Sequence, residues 1–486
     1  MRTYTACCLL TAFIYLAPAG LIAEENIGFD SGQDFEAVTQ RLQALEIQMQ
    51  QLRGGEFIFT QDAPFERTPL VHDAGYVSEH SCPNCKQSPS TCACPGKAGS
   101  GFPTVKVTGF FHLDGGFYNQ NAVNRATLGD IEDGVGFRRA RLAATGNVTE
   151  RTSYIMEFDF AQAQARFVDV WMQFKETPGG NIRIGRYRQP FGMTELTSVR
   201  ELPFLERPTA FALSPFRQTG IMLFDTALDE RMTWAASGYR YLSDNFGNVY
   251  ADTGGYGIAT RFTALPIDYG DSGLVHVGLG YSYNDPGRDL VQYVSQDEFF
   301  VGQQPNLGPP GLSVLPLVSV PPNVNTGAMP TERTNLFNVE GAASWGSLLI
   351  QSEARWARVD LLDGTSTTFP AAYAHMRYVL TGETIPYNRQ SGVFGRVKPA
   401  HPVDLWCGYW GAWELAARVS YIDLNRPGVP DATRPGRRLT DVTLGLNWYL
   451  SDHTKFQFNY IHADLDDPIL GSSQAQTFAC RGQLDF

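Results

Sequence analysis

Residues 441–462 read DVTLGLNWYLSDHTKFQFNYIH, and this stretch decides the fold. Every second residue of 442–450 is apolar, whereas the positions between are mostly polar or small, and 455–460 alternate in the same way. Ser451-Asp-His453 between the two segments is typical of a tight turn. Alternation with a period of two predicts a β-hairpin with one apolar and one polar face. Asn447, Lys455 and Asn459 on the polar face are typical of transmembrane β-strands.

The composition agrees with a chain built from such strands. Aromatic residues make up 12% of the 486 residues, Gly contributes 48, and only 18% are charged. The mean hydropathy of −0.21 argues against a helical membrane protein, and 43% apolar residues argue against extensive disorder. A net charge of −12 argues against a nucleic-acid partner bound through bulk positive charge.

Alternating segments recur through the second part of the chain, and we predict an all-β, 16-stranded antiparallel transmembrane β-barrel over residues 103–486. A soluble sandwich is the alternative, but it rarely keeps Glu, Asp, Arg and Asn on one face of so many strands. The predicted strands lie near 104–119, 135–149, 152–162, 166–176, 181–190, 217–226, 232–242, 254–266, 274–285, 334–345, 348–361, 371–381, 412–424, 439–450, 454–464 and 477–486.

The connections alternate in length, as expected when one end of a barrel faces the periplasm. Short turns lie at 148–151, 177–180, 345–347 and 451–453, and longer loops cover 120–134, 191–216, 286–333 and 425–438. Loop 191–216 is long enough to fold into the lumen. The join 382–411 is long but falls on the periplasmic side, so it breaks the pattern. An even strand number and a terminal Phe486 fit an outer-membrane barrel.

The N-terminal residues predict export. Arg2 precedes a 14-residue apolar stretch, which is too short to span a bilayer and fits a signal peptide over residues 1–23. Residues 34–53 carry apolar residues at alternating spacings of three and four, which predicts a short periplasmic coiled-coil helix. A helix lying on the protein's own body is the alternative. Residues 54–102, rich in Pro, Gly and Cys, are predicted to be an irregular linker.

Four of the cysteines that would follow signal cleavage are clustered in the linker. An exported chain meets an oxidising compartment, so we favour disulfides over a tetrahedral metal site, without choosing a pairing. No pairing is predicted between Cys407 and Cys480. The disulfide or metal candidates are Cys82, Cys85, Cys92 and Cys94.

Basic residues point to an anion as the solute. Of the 38 basic residues 32 are Arg, whose planar guanidinium matches phosphate oxygens and keeps its charge. Residues 135–217 have a local balance of +4, whereas the barrel region 103–486 has −7. The alternative is that many of these Arg pair with Glu195, Glu201 and Glu206. The candidates for anion binding and pore lining are Arg138, Arg139, Arg141, Arg183, Arg186, Arg188, Arg200, Arg207 and Arg217.

On two of the predicted strands, alternation bears on which Arg side chains face the lumen. On the second strand, Arg139 and Arg141 share a face with Phe137 in a simple alternation, so these two Arg are the best lumen candidates. On the fifth strand the alternation leaves open whether Arg183, or Arg186 with Arg188, faces the water.

A set of short motifs, in order along the barrel, resembles the phosphate-selective porin family (porins O and P). The motifs are Phe137-Arg-Arg-Ala-Arg141, Ile182-Arg-Ile-Gly185, Gln189-Pro-Phe-Gly192, Phe204-Leu-Glu-Arg207, Phe394-Gly-Arg-Val-Lys-Pro399, Gly411-Ala-Trp-Glu-Leu415, Leu444-Gly-Leu-Asn-Trp-Tyr449 and Asn459-Tyr-Ile-His-Ala463. The resemblance implies a homotrimeric sixteen-stranded outer-membrane channel with anion-binding Arg and Lys inside. The cysteine cluster departs from the family pattern.

We therefore expect a channel in the lipid bilayer of the bacterial outer membrane for passive uptake of small inorganic anions, phosphate or polyphosphate, through an Arg-lined constriction. A general-diffusion or sugar-type porin without an anion site is the first alternative, and a structural envelope tether is the second. Eight scattered His form no catalytic motif, so we predict no enzyme and no cofactor.

Overall fold

The computed structural model describes residues 101–161, 165–251, 253–301, 321–426 and 436–486. The predicted signal peptide 1–23, the coiled-coil helix 34–53, the linker up to residue 100 and its four cysteines lie outside the described residues. In the described ranges, no helix is long and apolar enough to cross a membrane.

Sixteen antiparallel strands in the described part of the chain form one closed barrel, as predicted. β16 pairs with β1 from Phe110 opposite Asp485 to Gln120 opposite Ala475, and this pairing closes the sheet. The strands are β1 Lys106–Gln120, β2 Gly134–Thr149, β3 Thr152–Asp159, β4 Arg166–Thr177, β5 Gly180–Arg188, β6 Arg217–Ala227, β7 Met232–Arg240, β8 Tyr256–Asp268, β9 Gly273–Asp285, β10 Met329–Trp345, β11 Leu348–Leu361, β12 Ser366–Val379, β13 Ala412–Asp423, β14 Arg438–Tyr449, β15 Thr454–Asp467 and β16 Gly471–Asp485.

The alternation in the sequence becomes an inside and an outside. On β14, Val442 and Leu444 are exposed on the outer surface, whereas Asp441, Thr443 and Asn447 are fully buried inside. The apolar outer face suits lipid, and the polar inner face meets the loops and the lumen. Closure satisfies the backbone hydrogen bonds of every barrel strand, which a bilayer requires.

Several strands extend further than predicted at the end of the barrel opposite the termini. β10 starts at Met329 rather than 334, β12 at Ser366 rather than 371, and β15 and β16 meet across residues 468–470 rather than 465–476. The outer residues of these extensions include Asp466 and Ser472, whereas Phe369 and Leu465 are buried on the inner face. The hydrogen-bond ladder therefore continues where the outer face is no longer apolar.

A β-bulge in the second strand corrects the prediction that Phe137 and Arg139 share a face. Arg139 pairs with His112 but Phe137 pairs with Leu113, so one extra residue, Arg138, lies between them. Phe137 is consequently 60% exposed on the outside, whereas Arg139 is 5% exposed and faces inward. A bulge reverses the facing of every residue beyond it.

Short turns join the strands at the end of the barrel that holds the termini, except at the join 380–411. Three long connections enter the barrel. Loop 189–216 and the described residues of loop 286–328 enter from the opposite end, and the join 380–411 enters from the end with the termini. Their buried apolar residues include Phe191, Phe204, Phe299 and Phe394, so the core lies inside the barrel rather than between layers. A short helix, α1 Ala122–Leu128, lies in the first long loop.

Candidate functional site

Loop 189–216 crosses the lumen and is held by the opposite wall. Its helical turn α2 Met193–Leu196 starts with two backbone N–H groups that have no partner within the turn. The Met193 N–H donates to Glu340 at 2.7 Å and the Thr194 N–H donates to Glu353 at 2.6 Å. These carboxylates on β10 and β11 therefore fix the turn against the barrel wall.

The same loop lies so close to β9 that a glycine is required there. A Cβ on Gly280 would stand 1.8 Å from the carbonyl oxygen of Phe191. Farther along the loop, Lys455 Nζ donates to the Leu202 carbonyl at 2.9 Å and Asn447 donates to the Pro203 carbonyl at 2.8 Å. The loop is consequently bound along its length by polar side chains of the inner wall.

The join 380–411 meets this loop from the other end of the barrel. Arg261 on β8 donates to the carbonyls of Ser391 at 2.8 Å and Gly392 at 2.7 Å. Buried Phe394 belongs to the same apolar cluster as Met193 of the loop. Two inward segments from opposite ends thus narrow the lumen at one level.

Buried Arg residues on the inner wall of β8 and β12–β16 are neutralised by carboxylates. Arg261 lies 2.6 Å from Glu340, and Arg377 lies 2.8 Å from Glu414. Arg418 pairs with Glu298 of loop 286–328. Arg481 binds Asp114 through two hydrogen bonds of 2.6 Å. Such buried pairs hold the loops and the wall together but leave little net charge for a solute.

Three of the arginines share one carboxylate of the inward loop. Glu206 accepts hydrogen bonds from Arg138 at 3.0 Å, Arg139 at 2.8 Å and Arg481 at 3.0 Å. Burial would raise the pKa of Glu206, but the three guanidinium groups outweigh burial and hold this pKa well below its usual range. The charges of Arg138 and Arg139 are therefore compensated by a carboxylate of the loop.

Three further candidates from the sequence are also engaged within the protein. Arg207 donates to the carbonyls of Thr194 at 2.8 Å and Thr197 at 2.6 Å. Arg217 holds Asp169 through both carboxylate oxygens, at 2.9 and 3.2 Å. Arg186 donates to the hydroxyl of Ser243 at 2.7 Å, in the loop after β7. None of these three lines the cavity that β1–β8 form with the two inward segments.

That cavity has a volume of about 340 Å³ and lies between the inner wall of β1–β8 and the two inward segments. Loop 189–216 contributes residues between Pro190 and Arg200, and the join 380–411 contributes Gln390 and Ser391. Its charged lining is Arg141, Arg183, Arg188, Arg200, Arg261, Glu157, Asp169 and Asp225. Five cations against three carboxylates leave the lining with a net positive charge.

The cations of the lining fall into two groups. Arg141 lies 2.8 Å from Asp159, and Arg261 is paired with Glu340 as described. Arg183, Arg188 and Arg200 have no carboxylate within ion-pair distance in the described ranges, and their positive charge is uncompensated by a direct partner.

Neutral groups position these three side chains. Arg183 donates to the Gln173 side-chain oxygen at 2.7 Å, and Arg188 donates to the carbonyls of Leu196 and Thr197 at 2.9 and 2.8 Å. Arg200 lies over the ring of Phe110, 5.5 Å from its centre. The guanidinium groups are thus held in place by neutral partners that do not compensate their charge.

The fifth strand shows why its facing could not be predicted. Gly185 has a φ of +131°, and a Cβ there would stand 2.3 Å from the Val170 carbonyl oxygen. Arg183, Tyr187 and Arg188 all line the cavity, whereas Arg186 does not. Alternation therefore holds from Arg183 to Tyr187 and fails at Arg188, the last residue of the strand, so each of the two alternatives left open by the sequence contributes a cavity residue.

Glu195 of α2 is a buried carboxyl group with neither oxygen hydrogen bonded in the described structure. Burial raises the pKa of Glu195 to about 8, although Arg355, Arg207 and Arg188 act in the opposite direction. The group is therefore mostly uncharged at neutral pH. Of the three acids considered as Arg partners, Glu206 forms ion pairs, whereas none involves Glu195 or Glu201 among the described residues.

Several residues of the site were not predicted from the sequence. Phe110, Trp171 and Arg261 line the cavity, and Glu340 and Glu353 hold the loop. Alternation in β10 and β11 places both Glu residues on the inner face, and this signal could have identified them. Their loop partners are about 150 residues away in sequence, so no local pattern pairs them.

Comparisons with known proteins agree with this architecture. A family model described as phosphate-selective porin O and P matches residues 105–486. An uncharacterized protein of Caulobacter vibrioides is 24% identical over 476 residues, which cover 93% of this chain and 89% of that protein. Porin O of Pseudomonas aeruginosa is 24% identical over 378 residues, which cover 72% of this chain and 80% of that protein.

Among solved structures, an anion-selective porin from Comamonas acidovorans aligns with a TM-score of 0.47 and 13% identity, over 79% of this chain and 99% of that one. The family model spans the whole barrel, from the start of β1 to the last residue. The chain therefore belongs to the phosphate-selective porin O and P family and is a β-barrel porin of the bacterial outer membrane.

Proposed function

We propose that this porin conducts small inorganic anions, phosphate among them, through the cavity lined by Arg183, Arg188 and Arg200. The observation that carries the proposal is the difference between two groups of Arg residues. The buried Arg of β12–β16 described above are ion-paired, whereas these three bind only neutral groups in the described structure.

The arrangement suits conduction rather than tight capture. Three separated guanidinium groups provide successive weak sites, and a solute that binds weakly at several sites can also leave. Asp225, Asp169 and Glu157, which lies 3.8 Å from Arg141, limit the net charge of the lining. Acidic residues in distant loops contribute little, since charges are screened beyond about 8 Å at physiological salt.

Reversal potential in a planar bilayer under a KCl gradient tests the proposal. We expect wild type to prefer chloride, and we expect Arg183→Gln with Arg200→Gln to move the potential toward zero. Phosphate should block the chloride current of wild type, and the double variant should need at least about ten times more phosphate, because the loss of even one charged hydrogen bond of about 1.5 kcal/mol weakens binding about tenfold. Arg188 is left intact because it also binds the loop backbone.

The matched control is Arg333→Gln with Arg358→Gln, since both side chains are exposed on the outer surface and paired with Asp360. This control should leave selectivity and block unchanged. A wild-type channel without anion preference would contradict the proposal and favour the general-diffusion or sugar-type porin.

The homotrimer remains a prediction from the family. The purified protein in detergent should run as a heat-modifiable trimer with a predominantly β circular dichroism spectrum. A monomer by light scattering would contradict the trimer, and it would leave the barrel and its channel in place.

A further inference from the structure

The cavity has an extensive apolar lining beside its charged and polar groups. Phe110, Trp171, Tyr187, Met222 and Phe224 line it, and the only hydrogen-bond donors among these five side chains are the Trp171 indole N–H and the Tyr187 hydroxyl. That hydroxyl is already engaged with Ser237 at 2.9 Å. The volume of about 340 Å³ lies within the range of about 300–1,000 Å³ found for sites of small organic molecules.

Cations and aromatic rings are directly associated in this cavity. The Arg183 guanidinium lies 4.2 Å from the ring centre of Trp171 and 5.0 Å from that of Phe224. Phe110 carries two guanidinium groups at 5.5 Å, those of Arg141 and Arg200. A positive group beside a flat apolar surface recognises a molecule that has both an anionic head and a planar body.

We propose that the preferred solutes of this channel are small organic anions with a flat apolar body, of which aryl phosphates are the simplest, rather than bare inorganic phosphate. This proposal rests on the proposed anion-conducting function, because the same Arg residues hold the anionic head. The phosphate oxygens accept hydrogen bonds from Arg183, and the planar body lies against the Phe224 ring and the neighbouring apolar lining.

Block of the chloride current measures this preference directly. Inorganic phosphate, methyl phosphate and phenyl phosphate are added at about pH 8, where phosphate groups are largely doubly charged. We expect wild type to be half-blocked by phenyl phosphate at a concentration at least about five times lower than for methyl phosphate, because ring stacking and apolar burial both favour the phenyl group.

Two single variants separate the body from the head. Phe224→Leu keeps an apolar side chain but removes the ring, and it should reduce the phenyl-to-methyl ratio of half-blocking concentrations to within about twofold of unity. Arg183→Gln should weaken block by all three compounds. The matched control is Phe262→Leu, because Phe262 is 54% exposed on the outer surface of β8, and its ratio should equal that of wild type.

Each result decides between the two proposals. Equal block by phenyl and methyl phosphate, with phosphate block present, overturns the preference for organic anions and leaves the anion channel standing. A phenyl preference that survives Phe224→Leu overturns the assigned site. If none of the three compounds blocks and the reversal potential is zero, the anion-conducting function itself fails and this inference fails with it.

Discussion

Substitution of Glu195 should remove a pH dependence from the inward loop. In the closed loop the carboxyl group is fully buried, neither oxygen has a hydrogen-bond partner among the described residues, and burial raises its pKa to about 8. When the loop opens, the side chain meets water and its pKa returns toward 4.5, so opening releases a proton between these two values. The closed state is therefore most stable below pH 4.5 and loses stability up to about pH 8.

The size of this effect follows from the two pKa values. One pKa unit corresponds to about 1.4 kcal/mol, so the opening equilibrium rises nearly tenfold for each pH unit within the window. Between pH 6 and pH 8 the opening constant should increase about 50-fold, or roughly 2.3 kcal/mol. Glu195→Gln cannot ionise, so its opening constant should stay flat over the same range.

The other charged groups around Glu195 do not account for the expected pH dependence of loop opening. Arg188, Arg207 and Arg355 face it, as does Glu353, which is already paired with Arg355 at 2.8 Å. Guanidinium groups keep their charge in this pH range. The difference between wild type and Glu195→Gln isolates the one carboxyl group.

Hydrogen exchange of backbone amides in residues 189–216, corrected for the pH dependence of the intrinsic rates, measures the opening constant. The amides of Leu196 and Thr197 are suitable reporters because they donate within the turn, to Gly192 and Met193. Glu201→Gln on the same loop is the matched control and should behave as wild type. A wild-type change below about fivefold between pH 6 and pH 8, or an equal change in Glu195→Gln, would refute the reasoning.

Two further predictions concern packing. Gly280→Ala places a Cβ 1.8 Å from the Phe191 carbonyl and should displace the loop at a penalty of about 1–3 kcal/mol, seen as altered single-channel conductance and faster loop proteolysis. Gly341→Ala, whose Cβ would have only one atom within 4 Å, at 3.9 Å, is the control and should be neutral. In the predicted N-terminal helix, loss of the apolar seam should unfold the helix, whereas the trimer should persist. Native gels that show only monomer would contradict this prediction and show that the trimer depends on the helix. The seam substitutions are Leu42→Ser, Leu45→Ser and Met49→Ser.

The sequence alone was sufficient to predict the barrel and its strands. Apolar alternation on ten-residue segments and short turns such as Ser451-Asp-His453 are local patterns, and they predicted all sixteen strands with most bounds close to those observed. Alternation works because a strand between lipid and a polar interior must place opposite residue types on its two faces. The predicted strands ended too early at β15 and β16, because the outer face there is polar while Leu465 and Ala475 are buried on the inner face.

Tertiary structure decided which arginines can meet a solute. A bulge turned Phe137 away from Arg139, and Arg188 at the end of β5 reaches the cavity together with Arg183, although simple alternation places these two residues on opposite faces. The partner that engages Arg139 is Glu206, 67 residues away, and Glu206 is shared with Arg481 across 275 residues. Such pairs exist only after the barrel closes and its loops fold inward, so charge counting along the sequence could locate an Arg-rich region but not its free charges.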